Sequence, residues 1–363
     1  MKRRRHLTAP SRQARVVIIS VCTLLILIGV AFLLPVPYVK LSPGPTYNVI
    51  GAQDAKPVIL IEDAQTYPVT GELDMTTVME SGGPRGGLTF VDALASWVDP
   101  NDAVLPRELL YPDDVTGDEV KQRQAALFST SQSNAIAAAA VYLKRPVNPH
   151  VVVSAVYSGT PSDGVLLPGD KVRAVDGVEV SVPTDVSSRI RSAPAGTTFE
   201  LTVARIDADG VQTDQEVTVT SAPNPDDPTV PYIGIGVGTY YTSDFQAQFS
   251  LEDIGGPSAG LIFTLGIVDL LSPGDLTAGK HVAGTGTIAP DGTVGPIGGI
   301  RQKLAGARAA GAELFLMPRV HCTEARDHIP EGLVVTPVGT LDEAVQALQT
   351  YTSGGELPAC PTD

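Results

Sequence analysis

Apolar and polar positions alternate along this chain with two different periods, and one long stretch carries no charge. Val16 to Leu34 is a charge-free run of 19 residues, close to the roughly 20 that a helix needs to cross a bilayer. Beyond it, Tyr38 to Ile61 mixes proline, glycine and β-branched residues and reads as extended chain leading into a sheet. Glu72 to Met79 alternates as a strand does, with period two. Leu88 to Leu94 reads as a short helix or strand, Asn101 to Gly117 as an acidic loop, and the Ala-rich segment Asp118 to Leu143 as a helix that Pro146 ends. A run of β elements follows: strands at Val151 to Val156, Thr197 to Ile206 and Gln215 to Thr220, with a helix at about Asp185 to Ser192. Pro223 to Pro231 is a linker, and Tyr232 to Tyr241 and Phe245 to Leu251 are strands. The last third alternates helix and strand. Helices are expected at Ser258 to Leu271, around Lys303, at Glu324 to Ile329 and from Thr340 to Leu348, with strands at Ala283 to Ile288, Ala312 to Met317 and Leu333 to Pro337. Residues 351–363 read as a mobile tail.

Charge sharpens the membrane reading. Lys2, Arg3, Arg4, Arg5, Arg12 and Arg15 stand before the apolar run with no acid among them, which leaves 19 basic against 40 acidic residues in the remainder. The basic segment 1–15 predicts a cytoplasmic N-terminus, a single-pass transmembrane helix at 16–34 and everything after Pro35 outside the cell membrane. Leu33-Leu34-Pro35-Val36-Pro37 lacks a small-x-small cleavage pattern, so a retained single-pass anchor is expected rather than a removed signal peptide. A remainder this acidic repels phosphate backbones and argues against a nucleic-acid partner. Cys22 lies in the apolar run, and an oxidising milieu would permit Cys322 and Cys360 to pair.

Two stretches carry candidate chemistry. In Gly255-Gly256-Pro257-Ser258-Ala259-Gly260, Pro257 is expected to open a helix and Ser258 to lie in its first turn. Unpaired N–H groups and the positive end of the helix dipole favour a developing oxyanion there, and the small neighbours Gly256 and Ala259 admit a substrate carbonyl. Taken alone, the same residues serve equally well as a plain helix start. In Pro296-Ile297-Gly298-Gly299-Ile300-Arg301-Gln302-Lys303, a Gly-rich turn opens a helix that sets Lys303 among Ile300, Leu304 and Ala307. Desolvation there lowers an amine's pKa toward a value useful to a general base.

As a pair, GGPSAG and PIGGIRQK resemble the proteolytic domain of the Lon family (S16 type), which works through a Ser-Lys dyad. The resemblance makes Ser258 the nucleophile and Lys303 its base, without a cofactor, and it implies a homo-oligomer. A gapless count upstream of PIGG puts Ala289 where the family has a threonine, so Thr287 or Thr285 is left to support the dyad. Glu252 and Asp253 either orient the dyad or keep the loop solvated. The strand ending near Met79 and the helix containing Ser131-Gln132-Ser133-Asn134-Ala135 are similar to the start of that domain.

Between the two parts, Leu167-Pro168-Gly169-Asp170-Lys171-Val172 and Val175-Asp176-Gly177 resemble a PDZ domain over 147–222. Such a fold binds a peptide by strand addition. The loop that would hold a terminal carboxylate falls at about Asn148 to Val151, which nominates Pro149, His150, Val151 and Val152. The fold class implied is α/β (α+β): a Lon-type domain, 38–146 and 223–350, interrupted by a PDZ domain and preceded by one transmembrane helix.

Gly274-Asp275-Leu276-Thr277-Ala278-Gly279-Lys280-His281 nearly matches a phosphate-binding loop, but His281 stands where Mg²⁺ needs a hydroxyl. No nucleotide is expected, so substrates would be peptides or flexible protein segments, cleaved without ATP. His321, Cys322 and His328 cluster without completing a metal site. Two functions follow: a membrane-tethered serine endopeptidase that captures substrate in part through the PDZ domain, or a non-catalytic peptide-binding scaffold.

Overall fold

A computed structural model describes residues 11–83, 87–111, 117–206, 212–225, 227–251 and 254–361. In chain order, helix α1 (Arg12–Leu33) precedes strands β1 (Pro35–Val36), β2 (Tyr38–Asn48), β3 (Ile59–Glu62), β4 (Glu72–Ser81) and β5 (Leu88–Thr89). Helix α2 (Phe90–Val98), β6 (Ala103–Pro106) and helix α3 (Gly117–Tyr142) follow. Next come β7 (Asn148–Val156), β8 (Lys171–Val175), α4 (Pro183–Arg191), β9 (Thr198–Ile206), β10 (Gln212–Thr220), β11 (Ile235–Thr242) and β12 (Gln246–Phe249). The last part holds α5 (Gly260–Leu271), β13 (His281–Gly284), the pair β14 (Thr287–Ile288) and β15 (Val294–Gly295), α6 (Ile300–Ala310), β16 (Leu314–Pro318), β17 (Val334–Val338) and α7 (Leu341–Thr352).

The chain divides into two compact units. One comprises Met1–Ser42 and Met79–Gly117, the other Pro43–Val78 and Asp118–Asp363. In the first, α1 is long and apolar enough to cross a membrane. β1 pairs with β5, and the start of β2 pairs with β6, where an acidic loop was expected. Val104 and Leu105 give that segment its strand character.

The second unit is built on two sheets. In one, β17, β16, β13, β4 and the later part of β2 lie side by side in that order, with β4, β13, β16 and β17 mutually parallel, so residues before and after the PDZ segment share it. Helix α5 is buried along nearly its whole length, with Phe263 contacting Phe128 of α3 and Phe249 of β12 at centroid distances of 5.7 and 4.7 Å. Its 12 residues rise about 18 Å, too short for a bilayer, so its all-round apolar character marks a core helix. A separate layer, Ala283, Ile300, Leu304, Ala307, Phe315, Met317 and Cys322, backs α6.

The second sheet runs β10-β9-β8-β7-β11 and encloses its own core of Val153, Leu166, Val175, Val186, Phe199 and Leu201. β7 is interior. Along one edge it pairs with β11 from Asn148↔Thr242 to Val156↔Ile235, and along the other it meets β8 at Val152↔Lys171. The expected carboxylate-binding loop at Asn148 to Val151 is therefore a paired strand, and Pro149, His150, Val151 and Val152 have partners along the β11 edge. The edge strand is β11, which the 147–222 boundary leaves out.

The tail also departs from expectation. Helix α7 runs to Thr352, Leu357 packs against the main core, Cys360 forms a disulfide with Cys322, and Arg326 donates to the Pro361 carbonyl at 2.9 Å. The covalent tie fixes a segment whose composition gave no sign of order.

Candidate active site

The main chain of the serine loop is held from two sides, by α3 and by the Thr285-Gly286 segment. Gly256 N–H donates to the Gln124 carbonyl of α3 at 3.1 Å, and Ser131 Oγ of the same helix donates to the Pro257 carbonyl at 2.9 Å. The Ser258 carbonyl accepts from Gly286 N–H at 2.9 Å and from Thr285 Oγ1 at 3.1 Å. A helical Ser258 would offer that carbonyl to Ile262, so these bonds explain why α5 begins at Gly260 and not at Pro257. Gly256 adopts φ +86°, a region glycine enters freely. A Cβ on Gly260 would stand 2.9 Å from Ile288 and 3.0 Å from Ser131 Oγ, so only glycine lets α5 start this close to α3.

Helix α6 delivers Lys303 to the same point. Its Nζ lies 2.8 Å from Ser258 Oγ and 2.9 Å from Thr285 Oγ1, and the residue is 3% exposed. As an ammonium, Lys303 donates to both hydroxyls. Burial lowers its pKa to about 7, because the charged form loses its hydration while only two hydroxyls replace it among the partners described. A chain of polar contacts thus runs from Lys303 through Thr285 to the Ser258 carbonyl, fixing the amine and the Ser258 hydroxyl in one frame.

Of the residues nominated from sequence, Ser258 and Lys303 are brought together across 45 positions. Thr287 is not at the dyad. It sits in the β14–β15 pair, where its Oγ1 closes over Gly295, and Thr285 takes the supporting position. Asp253 and Glu252 lie outside the described residues. Gly256 has given its N–H to Gln124 and Pro257 has none, so neither can donate to an oxyanion. Gln124 and Ser131 hold the serine loop without any local signal that marks them for it, although the SQSNA run that contains Ser131 identifies this helix.

The near-phosphate loop is filled from within. The Asp275 carboxylate accepts from Thr277 N at 3.2 Å, Ala278 N at 2.9 Å and Thr70 N at 3.1 Å, taking N–H groups that a phosphate would need. Cys322 is committed to the disulfide, and His321 Nε2 accepts from Ile297 N at 2.9 Å. Among the described residues one grouping could hold a metal ion, Glu72, Asp74 and His281, with ligand atoms within 4.8 Å of one another. His281 Nε2 already lies 3.0 Å from Asp74 and 3.2 Å from Glu72, contacts that a ring N–H shared between the two carboxylates accounts for.

Residues 253–350 match the C-terminal proteolytic domain of Lon protease (S16), and residues 130–220 match the PDZ domain. The Lon protease of Azospirillum brasilense is 36% identical over 94 residues, covering 25% of this chain and 11% of that protein. That of Phenylobacterium zucineum is 41% identical over 76 residues, covering 21% and 9%. The chain thus spans about a tenth of the length of these relatives. Among solved structures, the PDZ domain of an SdrC-like protein from Listeria monocytogenes is 22% identical, with a TM-score of 0.21, covering 24% of this chain and 86% of that one. The PDZ match stops before β11, the strand that completes the sheet. The chain carries a Lon-type (S16) proteolytic domain together with a PDZ domain.

Proposed function

We propose that this protein is a membrane-tethered, ATP-independent serine endopeptidase working through Ser258 and Lys303. The observation that carries the reading is the 2.8 Å contact between Ser258 Oγ and a buried amine whose pKa is brought to about 7. An amine near that value is half neutral at neutral pH and can accept a proton. Neutral Lys303 accepts the Ser258 hydroxyl proton as Oγ attacks the scissile carbonyl, and the N–H groups at Ser258 and Ala259, beside the start of α5, receive the oxyanion. The lysine then returns the proton to the leaving amine. Water, activated by the same lysine, hydrolyses the acyl-enzyme and restores Ser258. Thr285 is a positioning residue that aims the amine.

Substrate reaches the site as extended chain. The outer edge of β11 is the end of its sheet, and α4 packs beside it, so a peptide adds there as a further strand. Anchoring by α1 with the basic segment inside places the lobes on the outer face of the cell membrane. The test is cleavage of a casein-like substrate together with fluorophosphonate labelling. The parent should cleave and be labelled at Ser258, whereas Ser258→Ala and Lys303→Ala should lose cleavage by more than about a thousandfold. Parent-rate cleavage by either variant overturns the proposal.

A further inference from the structure

Helix α2 is built inside out. Its apolar residues Phe90, Val91, Leu94, Trp97 and Val98 follow the i, i+1, i+4, i+7, i+8 spacing of one helical face, a pattern that ordinarily faces a core. Here that face is exposed: Trp97 is 80% and Val98 79% accessible, and Phe90, Val91 and Leu94 each exceed 40%. Ser96 points the other way and is buried. An outward apolar stripe beside an inward serine requires an apolar medium outside.

The neighbouring anchor says which medium. The β1–β5 pair joins the end of α1 directly to the start of α2. Phe90 N–H donates to the Leu34 carbonyl at 3.2 Å, and the Phe32 and Phe90 rings stand 6.3 Å apart. Thr89 caps the helix by accepting from Asp92 N at 3.1 Å, which fixes the rotation of the stripe. We infer that α2 is an interfacial helix that seats its Phe90, Leu94, Trp97 and Val98 face in the outer leaflet beside the anchor. Tryptophan suits that depth, with an apolar ring and a polar N–H. The segment holds no lysine or arginine, so the contact is apolar and independent of anionic headgroups.

The inference rests on α1 spanning the bilayer, and one experiment separates the two. Trp97 is the only tryptophan in the chain, so its fluorescence reports α2 alone. The full chain is reconstituted in phosphatidylcholine vesicles, floated on a density gradient, and read with lipids brominated at shallow or deep acyl positions. Flotation reports the anchor. Seating of α2 predicts blue-shifted Trp97 emission, quenched more strongly by shallow than by deep bromine and unchanged by salt. In the double variant Leu94→Glu with Val98→Glu, the emission should move to its water-exposed position and the quenching should vanish, while flotation and fluorophosphonate labelling persist. Flotation with unquenched, water-like emission overturns the inference but leaves the anchor. Blue-shifted emission that ignores bromine and varies with protein concentration overturns it in favour of a second copy of the chain. Failure to float overturns the anchor reading and this inference with it.

Discussion

Arg205, partly buried, and Lys303, fully buried, are basic side chains of two different lobes of the second unit, and the two are accommodated in opposite ways. In the PDZ lobe, Arg205 Nε and Nη2 donate to the two carboxylate oxygens of Asp170 at 2.7 and 2.6 Å, and Nη2 also donates to the Val165 carbonyl at 3.0 Å. Hydrogen bonding to Asp170 raises the arginine's pKa further, so the charge is locked in place. In the proteolytic lobe, Lys303 meets two hydroxyls and its pKa falls to about 7. A paired charge fixes structure, whereas one held by neutral groups is free to change protonation, which is what acid–base work requires.

The largest effect expected is on catalysis. Lys303→Met should lower kcat/KM by more than about a thousandfold while retaining the fold. The same variant should gain stability, on the order of 4 kcal/mol at pH 6, because the folded-state pKa is depressed from 10.5 to about 7. Below pH 7 the folded chain must bury a charged lysine. Between about 7 and 10.5 only the unfolded chain holds that proton, so the parent's stability should rise with pH, and the gain from Lys303→Met should shrink to nothing above 10.5. Denaturant titrations at pH 6 and 9 check this, and a variant less stable at pH 6 would break the contrast. Arg205→Met should do the reverse, costing about 3–5 kcal/mol by leaving Asp170 buried and unpaired.

Smaller effects sharpen the picture. Thr285→Val should reduce kcat by about tenfold to a hundredfold and move the rise of the pH–rate profile to lower pH, since a hydrogen bond that favours the ammonium is lost. An unmoved midpoint would make Thr285 a packing residue only. Asp269, buried in α5, has its pKa raised to about 6, and its second carboxylate oxygen lacks a partner among the described residues. The ionised form is disfavoured in the folded chain, so stability falls as pH rises from 3.8 to about 6. Asp269→Asn keeps the acceptor for Leu276 N–H and should stabilise by about 1–2 kcal/mol at pH 7, read from thermal melts.

What could be read beforehand divides along the same physical line. Ser258 and Lys303 stand in short contiguous motifs, GGPSAG and PIGGIRQK, which are ambiguous alone and point to a Ser-Lys pair only through their joint resemblance to the Lon family. Thr285 and Thr287 could not be told apart, because two residues spaced by two share a face in any extended chain. Only the break between β13 and β14 sends them to different places. The PDZ edge strand was missed for a related reason: β7 and β11 are both Val- or Gly-rich strands, and which is interior depends on pairing between residues as far apart as Asn148 and Thr242. The ordered tail rests on a disulfide across 38 residues that no spacing rule could select.

The position of β11 also governs how the two lobes can be dissected. Its eight residues pair with β7 on one side, and Tyr241 N–H donates to Ser133 Oγ of α3 at 2.7 Å, two residues from the serine that clamps Pro257. The PDZ lobe is therefore no removable cassette. Excising 147–222 would strip β11 of its neighbour and loosen the helix that holds the Ser258 loop, so an inactive truncation would say nothing about peptide capture, and single substitutions along β11 are the cleaner scalpel.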